Sequence, residues 1–328
     1  MPLPPSDPQQ DRDALQRPST ARWGPGGSTA LVGVLGDPVR HSLSPAMHNA
    51  ALAALGLDWV YLALPVAAAD LATVVAALEA LDCRGLNVTI PHKQAVAALA
   101  AELCPLAQRL GAVNTLVRRP GGGWLGTNTD VEGFLAPLRE GNRPEQRAPG
   151  QRPPGQRAVV LGCGGSALAV LAGLEQLGFS SIAVAGRNAN ALAALQVGCR
   201  DWLPALEPLA WTTANDERLL QALAKADLVV NCTPVGMAST RDPMAANRSP
   251  LAAAALDRLR PGSGVYDLIY TPRPTTLLQG AAERGCRTWD GLEMLVQQGA
   301  AALRLWSGRD SVPVDAMRQA ALECLQAS

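Results

Sequence analysis

Aromatic residues are scarce in this chain, at 4% of 328, and there are only three histidines, His41, His48 and His92. None of the histidines has a cysteine partner at ligand spacing, so no bound metal is expected. The seven cysteines (Cys83, Cys104, Cys163, Cys199, Cys232, Cys286 and Cys324) are odd in number and form no C-x-x-C pair. That pattern excludes a disulfide framework and suits thiols kept reduced in a cytosol. Neither sign of charge predominates: 28 Lys and Arg offset 28 Asp and Glu, for a formal net charge of +0. Without a basic field, nucleic acid and anionic membrane surfaces are poor partners, and a small molecule is the expected ligand. Long apolar runs are missing too, since Ala-rich stretches such as ALAALGL and LAAAAL are broken by charges or turns before membrane-spanning length. Residues 1–28 contain no apolar h-region and read as a disordered tail rather than a signal peptide.

What the chain has in quantity is aliphatic residues. Hydrophobic residues make up 48% and charged ones 17%, ample for burial, and the length suits two domains. From Leu31 onward, strand and helix patterns alternate: LVGVLG, a helix opening at Ser44-Pro45, a strand from Trp59 to Val66, a helix from Asp70, then GLNVTI. Such alternation predicts βαβ units and a mostly parallel sheet, an α/β fold. AVNTLVRR and GGWLGTNTD, joined by the turn Pro120 to Gly123, read as an antiparallel hairpin closing that sheet. The Pro, Gly, Gln and Arg of residues 141–157 mark a linker or an exposed insertion at a domain boundary. Beyond it, RAVVLG, GCGGSA, an apolar helix and SIAVAGR form a second βαβ unit, extended by strands at DLVVNCTP and GVYDLIY. Two helices, LEMLVQQGAAALRLW and PVDAMRQAALECLQ, finish the chain.

Two segments carry chemistry. In GLNVTIPHK, residues Asn87 to Ile90 alternate as a half-buried strand does, and Pro91 suits the first turn of a helix from which Lys93 would project. A cation is disfavoured at that end of a helix dipole, which suggests a task for Lys93 beyond solubility. In GCGGSA, Gly162, Gly164 and Ala167 fit G-x-G-x-x-A between a strand and a helix, where glycines let the backbone approach a pyrophosphate at the helix N-terminus. The next strand ends at Gly186-Arg187-Asn188 with no carboxylate for a ribose 2′-hydroxyl. A guanidinium there favours a 2′-phosphate, so NADP is expected over NAD.

The runs HSLSP, NVTIPHK, GAVNT and NTD, followed by GCGG, NCTPVGM, YDLIY and DGLEMLVQQ, together resemble shikimate dehydrogenase in order and spacing, from Leu31 to the end. The resemblance implies reversible NADP-dependent reduction of 3-dehydroshikimate to shikimate, in the route to chorismate and aromatic amino acids, by a cytoplasmic monomer or homodimer. It implies a substrate-binding catalytic domain over residues 29–140, completed by residues 289–328, and a Rossmann-type NADP domain over residues 158–288. It places Ser42, Ser44 and Tyr270 at the substrate carboxylate, and Thr89, Asn114 and Gln298 at the ring hydroxyls. Lys93 and Asp130 become the catalytic pair, with the formal base left open between them. Gly162, Gly164, Gly165, Ser166, Ala167, Arg187 and Asn188 fall to NADP, with Thr233 and Gly291 on its nicotinamide side.

Taken singly, Ser44 could be a helix N-cap, Asp130 could cap the helix after it, and Met237 and Met294 read as gap fillers near the nicotinamide. Two departures from the family pattern stand out. A second arginine often follows the first by four residues, where this chain has Ala191, and Glu293 occupies a place where a small residue often stands. The alternatives are a quinate/shikimate dehydrogenase that also uses NAD, and a non-catalytic sensor of shikimate-pathway metabolites. Ser44 in place of threonine leans against quinate, and the intact Lys93 and Asp130 lean against the sensor.

Overall fold

The structure, a computed structural model, describes residues 24–140, 156–213, 216–239 and 242–327. The expected linker therefore lies outside the described residues except for Gln156 and Arg157, and the expected tail is described only from Gly24. There the Ser28 and Thr29 hydroxyls donate to Asp58 at 2.9 and 2.7 Å.

The fold is two-domain α/β, built on two six-stranded sheets. The first unit runs β1 (Ala30–Gly36), α1 (Ser44–Ala54), β2 (Trp59–Pro65), α2 (Leu71–Ala80), β3 (Gly85–Val88), β4 (Glu102–Leu103), α3 (Pro105–Leu110), β5 (Thr115–Arg118) and β6 (Trp124–Thr127). Its strand order is β2-β1-β3-β5-β6-β4. β1 is parallel to β2 and β3, while β5 is antiparallel to β3 and to β6. The hairpin thus lies inside the sheet, and β4, parallel to β6, forms the edge. A strand of two residues has no period to read. β3 is buried throughout rather than half-buried, because the sheet is covered on both faces.

After α4 (Asp130–Glu140) the second unit runs β7 (Arg157–Leu161), α5 (Gly165–Gln176), β8 (Ser181–Gly186), α6 (Ala189–Cys199), β9 (Leu206–Ala210), α7 (Glu217–Lys225), β10 (Leu228–Asn231), α8 (Ala253–Leu256), β11 (Gly264–Asp267), α9 (Thr276–Glu283) and β12 (Arg287–Trp289). The order β12-β11-β10-β7-β8-β9 is parallel at every pairing. This is the doubly wound arrangement, and its direction reverses between β7 and β10, where such sheets bind ligands at their carboxyl ends. The edge strands β9 and β12 carry weaker apolar signals than the central ones, and Pro208 is tolerated in β9 because an edge strand can spare an N–H.

The closing helices α10 (Leu292–Ser307) and α11 (Val314–Ala327) pack on the first unit. Trp306 donates from Nε1 to the Leu116 carbonyl at 3.0 Å, and a Cβ on Gly85 would lie 2.1 Å from its ring. Only glycine lets β3 pass beneath this indole.

Candidate active site

Lys93 does not project from a helix. β3 stops at Val88, the Ile90-Pro91 peptide is cis, and residues 90–94 turn into a short 3-10 helix, Ala95–Leu99. The Lys93 carbonyl accepts from Val113 N–H at 2.8 Å, a partner distant in sequence, while Ala97 N–H bonds the Gln94 carbonyl at 3.2 Å. The expected helix after Pro91 is therefore replaced, and the dipole argument for Lys93 falls with it. What holds Lys93 is Asp130, whose Oδ2 lies 2.5 Å from Nζ, the two side chains being 12% and 8% exposed.

Asp130 opens α4, yet it does not cap it. Asn128 Oδ1 accepts from Asp130 N–H at 3.1 Å, which leaves the carboxylate free for other partners. Its second oxygen accepts from Asn114 Nδ2 at 2.8 Å. The same amide donates to Thr129 Oγ1 at 3.0 Å and to Gln298 Oε1 at 3.2 Å, while its oxygen accepts from Thr129 N–H at 2.7 Å. Asn114 thus ties Asp130 to the C-terminal helix α10.

A second string of buried polar groups continues from this knot. Thr115 Oγ1 shares a hydrogen bond with Thr129 Oγ1 at 3.1 Å and accepts from Asn87 Nδ2 at 3.1 Å. Asn87 Oδ1 accepts from the Tyr61 hydroxyl at 2.8 Å. Burial pushes the Tyr61 phenol well above its ordinary range, with the Ser44 hydroxyl bond acting against that shift. The Tyr61 ring stacks on His48, ring centroids 4.2 Å apart. Burial lowers His48 to about 3, so it stays neutral. Tyr61, Thr115 and Thr129 are supports that motif reading does not single out, and Tyr61 stands in an apolar strand where nothing marks it.

The remaining substrate-side candidates lie on three different segments. Ser44 is buried in α1, whose N-cap position is Leu43, so it is not the cap; its N–H donates to Ser42 Oγ at 3.2 Å. Thr89 is part-exposed just past β3, with room made for its methyl by Gly36, where a Cβ would lie 2.4 Å away. Tyr270 follows β11 and packs against the first unit's core, burial raising its phenol.

Between the units lies a cleft of about 470 Å³. Lys93 lines it from one side, and Gly162, Gly164, Gly165, Ser166, Arg187, Asn188 and Thr233 line it from the other. Ala167 is fully buried behind the loop. Gly291 is not among the residues lining it, and a Cβ there would lie 2.0 Å from the Leu268 carbonyl oxygen. Gly162 has φ +103°, and a Cβ on Gly164 would meet nothing within 4 Å, so the loop backbone faces open space at the start of α5. The Lys93 stem rests on Gly165, where a Cβ would be 3.7 Å from it. Exposed backbone at a helix N-terminus, with an exposed arginine at the next strand end, fits a dinucleotide that carries a 2′-phosphate.

Thr233 is held by Asn231 Oδ1, which accepts from its N–H at 3.0 Å and its hydroxyl at 2.7 Å. Asn231 Nδ2 in turn donates to Asp267 at 2.9 Å, and Thr275 Oγ1 donates to the same carboxylate at 2.8 Å. Burial raises Asp267 to about 6. The Cys163 and Cys232 thiols beside the loop are also raised by burial. Met294 lies in the core cluster of Phe134, whereas Met237 is 48% exposed. Glu293 is engaged by Arg318 through two bonds of 2.8 Å that join α10 to α11. Among the described residues no group of three or more His, Cys, Asp or Glu is placed to hold a metal ion.

Comparison with known proteins agrees with this geometry. Residues 34–116 match the family described as "Shikimate dehydrogenase substrate binding domain", and residues 291–322 match "Shikimate 5'-dehydrogenase C-terminal domain". A shikimate dehydrogenase (NADP(+)) of Synechocystis sp. is 50% identical over 92% of this chain and 98% of its own length. Among solved structures, shikimate 5-dehydrogenase from Thermus thermophilus, in complex with NADP(H) and shikimate, is 34% identical and covers 90% of this chain and 100% of its own, with a TM-score of 0.74. Quinate dehydrogenase from Corynebacterium glutamicum, in complex with NAD, is 32% identical, with a TM-score of 0.75 and coverage of 90% and 99%. The chain belongs to the shikimate dehydrogenase family.

Proposed function

We propose that this protein is an NADP-dependent shikimate dehydrogenase, reducing 3-dehydroshikimate to shikimate reversibly in the shikimate pathway. The observation that carries the reading is the 2.5 Å Lys93–Asp130 pair, whose lysine lines the cleft over the doubly wound sheet. Oxidation of a secondary alcohol needs a group that takes the hydroxyl proton as the carbon is oxidised. Lys93 Nζ and Asp130 form a proton-exchanging pair almost excluded from water, and the ammonium stabilises charge developing on the alcohol oxygen. Asn114 holds Asp130 and, with Gln298 and Thr89, orients the ring hydroxyls. Ser42, Ser44 and Tyr270 donate to the carboxylate without adding charge.

NADP, when bound, supplies the hydride acceptor. The chain's own part is the Gly162–Ala167 loop for the pyrophosphate, Arg187 and Asn188 for the 2′-phosphate, and Thr233, braced through Asn231 by Asp267, on the nicotinamide side. Residues 29–140 with 289–328 make the catalytic domain and residues 158–288 the cofactor domain, a division supported by the two sheets. Seven free thiols support a reducing, cytoplasmic setting for a monomer or homodimer.

The test is absorbance at the reduced-nicotinamide band with shikimate or quinate, each with NADP or NAD. Turnover confined to shikimate with NADP is expected; equal rates with quinate and NAD would reassign the enzyme, and binding without turnover would make it a sensor.

A further inference from the structure

We infer that Trp211 is a positioning residue for the 2′-phosphate site: its indole face holds the Arg187 guanidinium over the cleft and takes the place of the second arginine absent at Ala191. This rests on the NADP reading above. Strand register brings the pair together. β8 and β9 run parallel with Gly186 opposite Ala210, so the next residues, Arg187 and Trp211, leave the sheet side by side. Trp211 N–H donates to the Gly186 carbonyl at 2.9 Å, which roots the indole beside the arginine. Arg187 Cζ lies 6.0 Å from the ring centroid, within reach of a cation–π contact, and both residues line the cleft.

Charge and place together separate this pair from its counterparts in the fold. Arg109 and Arg118 also lie over tryptophans, Trp202 and Trp124, but each is neutralised by a carboxylate, Glu175 and Glu79. Arg287, 5.7 Å from the Trp289 ring centroid, has no carboxylate partner among the described residues either, but neither of those two residues lines the cleft. Arg187 is exposed and, among the described residues, has neither a carboxylate partner nor a hydrogen-bond acceptor. Its planar fork therefore stays available to a dianion while the ring limits where it can go. A lone arginine on a flexible stem would lose that freedom only on binding. Stacking on Trp211 removes part of the cost beforehand, as a neighbouring arginine would.

The experiment is calorimetric titration of the full-length protein with adenosine 2′,5′-bisphosphate and with 5′-AMP. The wild type is expected to prefer the bisphosphate. Trp211→Leu should weaken bisphosphate binding about three- to tenfold, the size of a cation–π contribution, and leave 5′-AMP within about twofold. Trp211→Phe, which keeps an aromatic face, should retain most of the preference. Equal weakening of both ligands by Trp211→Leu would mean that the indole carries adenine, and no weakening of either would leave it idle; both results overturn the inference. Circular dichroism checks the fold of each variant. Arg187→Lys, at an exposed position, keeps the charge without the planar face and should lose preference on its own, with little further loss when combined with Trp211→Leu. Full retention in Arg187→Lys, or additive losses in the double variant, would also overturn it. If the wild type shows no preference, the NADP reading fails and takes this inference with it; if it does and Trp211→Leu does equally, only the role of Trp211 falls.

Discussion

Lys93 Nζ and Asp130 Oδ2 meet at 2.5 Å across 37 positions of sequence. Each end is fixed by a bond from elsewhere in the fold: Val113 N–H holds the Lys93 carbonyl, and Asn114 Nδ2 holds the other oxygen of Asp130. The β3–β5 pairing sets Asn87 against Thr115, and with it places Val113 and Asn114 beside the turn that carries Lys93.

Asn114 is therefore expected to matter through Asp130. Asn114→Ala leaves the buried Thr129 N–H without its acceptor, a loss of about 1–3 kcal/mol in stability. Displacement of Asp130 should lower kcat/KM by up to about 100-fold. Steady-state kinetics beside urea unfolding separates the two effects, and unchanged kcat/KM would show that Asp130 keeps its place unaided.

Glu293 should behave differently. Arg318 holds its carboxyl below the usual carboxylate range, so this stabilisation is present at neutral pH and is lost as pH falls through that range. Glu293→Ala is expected to cost about 1 kcal/mol in unfolding free energy at neutral pH, and less in acid, with kcat unchanged. A large fall in kcat would give Glu293 a part in the chemistry that its partners do not suggest.

At Asp267 the sign is opposite. Burial raises the folded carboxyl to about 6, against about 3.9 in an unfolded chain. The folded state holds this proton more tightly, so the group's contribution is full below about pH 4 and is lost as pH rises through about 6. Relative to wild type, Asp267→Asn should gain on the order of 2 kcal/mol between about pH 4 and pH 7, as that loss no longer applies. Urea unfolding across this range checks it, and a constant difference between the two proteins would contradict the assignment.

Two glycines are expected to resist even a methyl group. At Gly291 a Cβ would lie 2.0 Å from the Leu268 carbonyl oxygen, and at Gly85 2.1 Å from the Trp306 ring. Each alanine variant should lose about 1–3 kcal/mol or more by thermal or urea unfolding. A neutral Gly291→Ala would mean that α10 can shift away from Leu268.

The alternation of strands and helices is legible because the central strands are short, nearly continuous apolar runs, and the cofactor loop because its glycines follow one of them. What stayed hidden depended on partners distant in sequence. Nothing within GLNVTIPHK announces that Val113 will bond the carbonyl of Lys93 or that the turn after it will be a short 3-10 helix. The edge strands β4, β9 and β12 bury too little to show a pattern. Tyr61 looked like one more apolar strand residue until its hydroxyl met Asn87, and Trp211 acquires meaning only from the β8–β9 register. The resemblance places Gly291 on the nicotinamide side, and the structure adds that the Leu268 backbone leaves no room for a Cβ there. Met237 reads as packing and is 48% exposed.

The most direct test of the central claim is Lys93→Ala, with kcat for shikimate oxidation measured beside shikimate affinity by calorimetry. Loss of the proton-exchanging group should lower kcat by about 10²–10⁴-fold while affinity changes far less. A near-normal kcat would remove the Lys93–Asp130 pair from the proton step and contradict the mechanism.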